Sequence, residues 1–403
     1  MQRDHDVVIV GGGPAGISTA LHLQAVAPAL RIVVLEKERY PREKICAGGI
    51  GARAFKLLEK IDVIVDCPCV RFDAVAMRVA GETVVAREPW AGVVVRRIEF
   101  DHAFAKIAIE RGIEVRDGAE VTAIRTTAHG VTVEVDGEAL TARAVVGADG
   151  VGGIVRRQIG FPRGELRAQA VELDTGAAPG DLPRDTVVFD FSTTELRGYA
   201  WDFPTQVAGE PLVCRGVYVL RDPRSRELAS PSAEPRTRLA SYLAERGLAI
   251  ADYRTKQFAE RGFEPGAELA APRVLLVGEA AGIDIATGEG IGQAIEYGAL
   301  AGRYLADALA HDDLGFTDWR RTVTKHHLGW QLALRHALYR TFYSHRRPRI
   351  EPLMPSMHQL FRVGVQDFAG APMSKLAVVR GTGQLLAAYT RAKLGSRRST
   401  TPA

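Results

Sequence analysis

The chain has 403 residues, 46% hydrophobic and 25% charged, the composition of a globular protein long enough for two interleaved domains. Four cysteines exclude a disulfide framework, and no apolar run approaches the ~18 residues needed to cross a bilayer. Met1 to His5 lacks the apolar core of a signal peptide, so the chain reads as cytoplasmic with reduced thiols, and its net charge of +4 hides a strongly basic end.

The opening stretch "DHDVVIVGGGPAGISTALHL" runs an apolar strand, Val7 to Val10, into a glycine turn and a helix entered through Pro14 and Ala15. Gly11 suits the tight turn, Gly13 a close backbone approach to phosphate and Gly16 a helix packed on the strand, with the helix N-terminus facing the anion. A second strand, "RIVVLEK", ends at Glu36 and Lys37, where a carboxylate about 20 residues past the last glycine would hold an adenosine ribose. A dinucleotide is the ligand these residues predict; a purely structural glycine turn is the plain alternative.

Further along, Ile50 to Leu58 has helical spacing, and a hairpin is expected around Ala80-Gly81-Glu82. A helix with an apolar stripe of Phe100, Phe104, Ile107 and Ile109 precedes three short strands that turn near residues 128–130 and 136–138, the last returning to a parallel sheet. "DTVVFDFS", "RGYAWDFPT" and "PLVCRGVYVL" read as strands, Arg236 to Arg246 as a helix, and "RVLLVG" at 273–278 as a buried strand. The remainder is mostly helical, with a frayed end from Arg397 to Ala403. The expected fold is α/β: a Rossmann-like nucleotide domain (1–70, 95–160, 270–310), an inserted, mostly antiparallel substrate domain (71–94, 161–269) and a helical basic region (311–403).

Four ordered segments narrow the ligand by resemblance. "AVVGADGVGGIVRRQIG" resembles the Asp-Gly motif of the para-hydroxybenzoate hydroxylase superfamily, and "VLLVGEAAGIDIATGEGIGQAIEYGALAG" its second flavin motif. "RRIEFD" is similar to its Arg-x-x-Phe-Asp pattern. With the glycine turn, this resemblance implies FAD rather than NAD. "EKERYPREKICAGGIGARA" and "GYAWDFPT" look like two segments of the geranylgeranyl reductase-like branch.

The resemblance covers residues 5 to about 310. It implies cofactor contacts from Gly11, Gly13, Pro14, Ala15, Gly16, Glu36, Lys37, Arg42, Lys44, Ala47, Gly48, Arg97, Val121, Asp149, Gly150, Gly278, Glu279, Gly290, Ile291 and Gly292. Glu279 would hold the ribityl chain, and the helix opening at Gly290 would steady the charge of the reduced ring. Cys46 and Tyr199 become candidate proton donors, while Tyr199, Trp201 and Phe203 would line a cavity for a small hydrophobic substrate, with a strand core as the alternative for that trio. Ala47 stands where the family has glycine, Glu279 where it has aspartate and Thr205 where lysine is common; the loop Asp284-Ile285-Ala286 lacks a common proline.

The chemistry implied is reduction of a carbon–carbon double bond on an isoprenoid or polyene-like substrate, with NAD(P)H or another reductant as electron donor. The same scaffold also serves monooxygenases and could serve a non-redox cyclase. A halogenase is disfavoured because the Trp-x-Trp-x-Ile-Pro signature is absent.

Other clusters have bland readings. Cys67-Pro68-Cys69 lacks partners for zinc, so no metal is expected, and His326, His327 and His345 read as surface residues. Gly298 and Gly302 suit close helix packing rather than a membrane span. From Trp319 onward, 15 Lys and Arg stand against only Glu351 and Asp367, a net +13. This end is either a solvated basic face or, because Trp319, Trp330, Tyr339, Phe342, Tyr343 and Phe361 are interleaved, a peripheral contact with the inner membrane face or an anionic substrate. No motif supports nucleic acid as a partner.

Overall fold

The computed structural model describes residues 3–192, 196–221 and 234–371, with positions 376, 378–381, 383, 384 and 390 beyond them. The expected frayed end, Arg397 to Ala403, lies outside the described residues. Strand β1 (Val7–Val10) is wholly apolar and buried, so both its faces need cover, and it occupies the centre of a parallel sheet. Its neighbours are β2 (Ile32–Glu36) and β10 (Ala144–Gly147), flanked by β6 (Glu114–Asp117) on one side and β17 (Val274–Leu276) on the other; the short antiparallel β16 (Ala270–Ala271) closes the edge.

Helices α1 (Pro14–Val26) and α6 (Ile291–Ala310) pack tightly on one another beside this sheet. Their separation is set by missing side chains: a Cβ on Gly298 would lie 2.5 Å from the Ser18 side chain, and one on Gly302 would lie 2.7 Å from the Leu23 amide nitrogen. These two glycines therefore serve packing within the nucleotide-binding unit.

The second sheet has eight strands in the order β15, β11, β14, β13, β12, β4, β5, β3, comprising Lys256–Arg261, Arg167–Thr175, Glu210–Arg221, Gly198–Val207, Thr186–Asp190, Cys69–Val79, Glu82–Val95 and Gly49–Gly51 respectively. All pairs are antiparallel except β4 with β12. The β4–β5 hairpin turns at Ala80 and Gly81, both with positive φ (52° and 80°), the backbone a two-residue hairpin loop needs.

A third sheet holds β7 (Val121–Thr126), β8 (Val131–Val135) and β9 (Glu138–Ala142). Here the sequence expectation needs correction, because the last of its three strands is two: the chain breaks at Arg143, and only β10 joins the parallel sheet. Ile50 lies in β3, so helix α2 begins at Ala52 (Ala52–Glu59), and Ile109 of α3 (Arg97–Glu110) is exposed rather than part of the buried stripe. Strands β6, β11 and β15 are not among the expected runs; β6 and β15 are rich in charged residues and show no clear alternation.

The remaining helices are α4 (Ile154–Gln158), α5 (Pro235–Ala244), α7 (Trp319–Lys325), α8 (His327–Phe342), α9 (Arg347–Ile350) and α10 (His358–Phe368). Helix α5 covers one face of the large sheet through Leu239, Tyr242 and Leu243. The other face packs Phe72, Tyr199, Trp201, Phe203 and Tyr218 against Tyr339 and Tyr343 of the α8 region and Val365 of α10. The basic end, as far as residue 371, is thus built into the molecule. Trp319 is fully buried and donates through Nε1 to the Leu276 carbonyl, 3.1 Å away.

Candidate cofactor and active site

A cavity of about 780 Å³ opens at the carboxyl ends of β1, β2 and β10, the crevice where connections leave a parallel sheet in opposite directions. The N-termini of α1 and α6 both face it, and neither Gly13 nor Gly290, their capping residues, supplies a side-chain cap. Their first amides are therefore donors available to an anion or a polar ring edge.

At one end stand Gly11, Gly13, Pro14, Ala15, Glu36 and Lys37. Gly11 has φ of 105°, and a Cβ there would lie 2.4 Å from the Ala148 carbonyl oxygen. Gly16 is behind the wall, its missing Cβ leaving room for the Gly11 carbonyl at 1.9 Å. A Cβ on Gly13, by contrast, would meet no atom closer than Arg42 Nη2 at 3.8 Å, so the bare backbone there borders open cavity. Glu36 accepts from the Gly12 amide (2.9 Å), the Glu38 amide (3.1 Å) and Arg42 (3.1 Å), which fixes its carboxylate. About four lone-pair sites on a carboxylate leave one for a hydroxyl.

Arg42 also bonds Asp101 at 2.9 Å, and Arg97 grips the same carboxylate through two bonds of 2.6 and 2.7 Å. Asp101 is thus the shared anchor of Arg42 and Arg97, two of the arginines that line the cavity. It belongs to the Arg-x-x-Phe-Asp pattern, yet its burial and double use are visible only in three dimensions.

The other end gathers Lys44, Cys46, Phe258, Glu260, Glu279, Gly288, Gly290 and Ile291, with Val121, Asp149 and Gly150 along the side. Glu260 is the residue the sequence did not reveal, because it sits in the charged strand β15 without a motif. Burial, reinforced by the neighbouring Glu279 carboxylate, pushes its carboxyl well above the usual range, although Tyr218 donates to it at 2.8 Å and Lys44 lies near. Burial likewise raises Glu279, and it raises the Cys46 thiol despite Arg97, so Cys46 is held as a thiol rather than a thiolate.

The aromatic trio is placed differently from the expectation. Tyr199, Trp201 and Phe203 are buried in the aromatic core between the large sheet and the C-terminal helices, and none is on the wall of this cavity. The Tyr199 hydroxyl donates to the Thr287 carbonyl, and burial raises its pKa well above the ordinary value, so its proton is committed to a loop rather than poised for transfer. Phe203 packs on Gly49 and Trp201 on Gly216. Ala47, Gly48, Gly278 and Gly292 also lie off the wall: Ala47 packs on the aromatic core, Gly48 fits under the Val95 carbonyl, Gly278 against Ala15 and Gly292 beside Glu289.

The loop Asp284–Gly290 that Tyr199 touches is fixed from a second side by Arg335 of α8, which bonds Asp284 at 2.7 Å and Glu289 at 2.5 Å. This loop leads into α6 at the cavity wall. His327 is exposed as expected and His326 is half-buried, but both have acidic partners: they approach Glu296 at 3.7 and 3.6 Å respectively, and His327 lies 3.2 Å from Asp367, which Arg53 and Gln331 also hold. His345 is exposed. No cluster of metal-ligating side chains occurs among the described residues.

The wall fits a flavin dinucleotide by its unmet bonds. Arg42 Nε, Asp149 Oδ1 and Glu279 Oε1 are buried without partners, at three points along a cavity whose volume lies within the range for cofactor sites, about 300–1,000 Å³.

Comparison with known proteins agrees with this geometry. Residues 4–312 match a family described as the FAD binding domain. The chain is 28% identical to digeranylgeranylglycerophospholipid reductase 1 of Methanococcoides burtonii over 78% of its own length and 77% of the relative's. It is 29% identical to the 12-dehydrotetracycline 5-monooxygenase/anhydrotetracycline 6-monooxygenase of Streptomyces rimosus, over 73% of this chain and 60% of that protein. Its fold is that of a geranylgeranyl bacteriochlorophyll reductase-like protein from Thermoplasma acidophilum, with a TM-score of 0.67, 18% identity and coverage of 94% and 95% of the two chains.

Proposed function

The chain belongs to the FAD binding domain family of para-hydroxybenzoate hydroxylase type and is an FAD-dependent oxidoreductase, and from that premise we propose that it reduces a carbon–carbon double bond of an isoprenoid or polyene-like substrate. When bound and reduced, FAD supplies a hydride to one alkene carbon. The protein's part is to deliver a proton to the neighbouring carbon, exclude water and hold the double bond in place. We assign the proton to Glu260.

The observation that carries this reading is the buried Glu260 carboxyl at the end of the cavity where α6 begins, bonded by Tyr218 and sharing the wall with Cys46 and Phe258, where burial and the Glu279 carboxylate push its pKa up. An acid of raised pKa is what protonation of carbon requires near neutral pH. Tyr218 orients Glu260 from behind, and Cys46 contributes apolar wall. At the opposite end, Gly13 and the amides of α1 would receive the pyrophosphate and Glu36 the ribose, with Arg42, Arg97 and Asp149 along the span and Lys44 and Glu279 at the Glu260 end.

The relative whose name records reduction of a digeranylgeranyl lipid is matched over more of its length than the monooxygenase, which favours the reductase reading. The test is anaerobic. Photoreduced holoenzyme is mixed with digeranylgeranylglycerophospholipid or a polyprenyl quinone, and the product is weighed by mass spectrometry. A product two hydrogens heavier supports the proposal. A substrate that stays unchanged without oxygen and acquires label once ¹⁸O₂ is admitted assigns the chain to the monooxygenases, and an isomer of unchanged mass assigns it to cyclisation.

A further inference from the structure

Helix α8 is apolar on two opposite faces. Its inner face buries Leu328, Leu332 and Tyr339 in the protein core. Its outer face presents Trp330, Leu334 and Leu338, which are 45%, 40% and 48% exposed, with exposed Ala337 and Thr341 between them. At about 3.6 residues per turn these five positions form one strip along the helix. A helix face turned to water ordinarily carries charge, and a contiguous exposed apolar strip marks a surface that something covers.

The surrounding charge selects the occupant. The two acids between Trp319 and Gly370 are buried and paired inside the protein, Glu351 with Arg347 at 2.8 Å and Asp367 with Arg53 at 3.1 Å. The exposed charges of this region are therefore cations, among them Arg320, Arg321, Arg340, Arg346 and Arg349. A second copy of the chain would bring the same cations against them and be repelled. An anionic bilayer complements both features, with phosphates for the arginines and acyl chains for the tryptophan and leucines. No helix among the described residues is long and apolar enough to cross a membrane, so the contact is peripheral.

We propose that α8 docks the protein on an anionic membrane surface, its Trp330–Leu334–Leu338 strip seated at the boundary of head groups and acyl chains. The contact is independent of what the flavin reduces. It sharpens the sequence expectation, because Trp319, Tyr339 and Tyr343 are buried and the docking strip rests instead on Trp330 and two leucines.

The full-length holoprotein is sedimented with vesicles of phosphatidylglycerol and phosphatidylcholine, or of phosphatidylcholine alone, at physiological salt. Binding is expected to the anionic vesicles, with tryptophan fluorescence quenched by brominated acyl chains in the native protein but not in Trp330→Phe. The double variant L334S/L338S should bind about tenfold more weakly or worse, with its circular dichroism and flavin spectrum unchanged. Absence of sedimentation, or binding undiminished in L334S/L338S, overturns the proposal. So does a native dimer that the substitutions dissociate, which gives the strip to a second copy, or a Trp330 already shielded from acrylamide in the free protein, which gives it to the chain's own C-terminal segment.

Discussion

The two ends of the cavity are built in different ways. At the Gly11–Glu36 end, consecutive residues do the positioning: one strand, one turn and one helix place the bare backbone, and Glu36 is locked by the amides of Gly12 and Glu38. At the Glu260 end, the wall is assembled from four separate segments, 44–46, 258–260, 279 and 288–291, and the loop at Gly288 is held by Tyr199 and Arg335, which come from a strand and a helix far apart in sequence. A site made of backbone tolerates side-chain change around it, whereas one made of buried charges depends on each partner.

The sharpest way to break that contrast is to change one atom pair at the second end. Glu260→Gln keeps the shape and the Tyr218 contact but supplies no acid, so hydride consumption by substrate should fall about 10²- to 10⁴-fold while the flavin stays bound. Stopped-flow reoxidation of the reduced enzyme by substrate measures it, and an unchanged rate would remove Glu260 from the chemistry.

Arg335→Ala leaves Asp284 and Glu289 without their cation, and breaking such a buried pair costs about 3–5 kcal/mol. Chemical unfolding should show that loss together with weaker flavin retention. Stability that falls while flavin affinity holds would confine Arg335 to scaffolding. At the first end, Gly13→Val places its side chain in open cavity, so the apoprotein's melting temperature should hold while FAD affinity drops by about 2–3 kcal/mol, roughly 100-fold. Titration of the apoprotein by flavin fluorescence separates the two effects.

The last effect is a pH dependence of stability. Burial, with Asp174 nearby, raises Glu172 from 4.5 to about 7, so between those values the folded protein holds a proton the unfolded chain releases. Stability should therefore decline as pH rises from 4.5 to about 7 and level off above, and Glu172→Gln should flatten that segment of the melting curve. A segment left unchanged in the variant would mean that another group titrates there.

What was legible in the sequence follows the same divide. Gly11, Gly13, Gly16 and Glu36 announce themselves because their geometry depends on near neighbours, and the parallel strands do so because burial on both faces demands unbroken apolar runs. Glu260 and Arg335 leave no local trace: a lone acid in a charged strand and an arginine in a basic helix look like solvated residues until the chain folds them against other elements. The aromatic trio illustrates the reverse error, since alternation in β13 places Tyr199, Trp201 and Phe203 on one face but does not say what lies against it. That face is occupied by the C-terminal helices, where Trp319, Tyr339 and Tyr343, three of the five aromatics interleaved with Trp330 in the basic end, are also buried.

Every assignment at both ends rests on one bound group, and it can be counted. Purified protein, denatured by heat and analysed by chromatography, should release one FAD per chain and, before heating, show the yellow absorbance of oxidised flavin. Colourless protein that FAD does not reconstitute would contradict the account at its root.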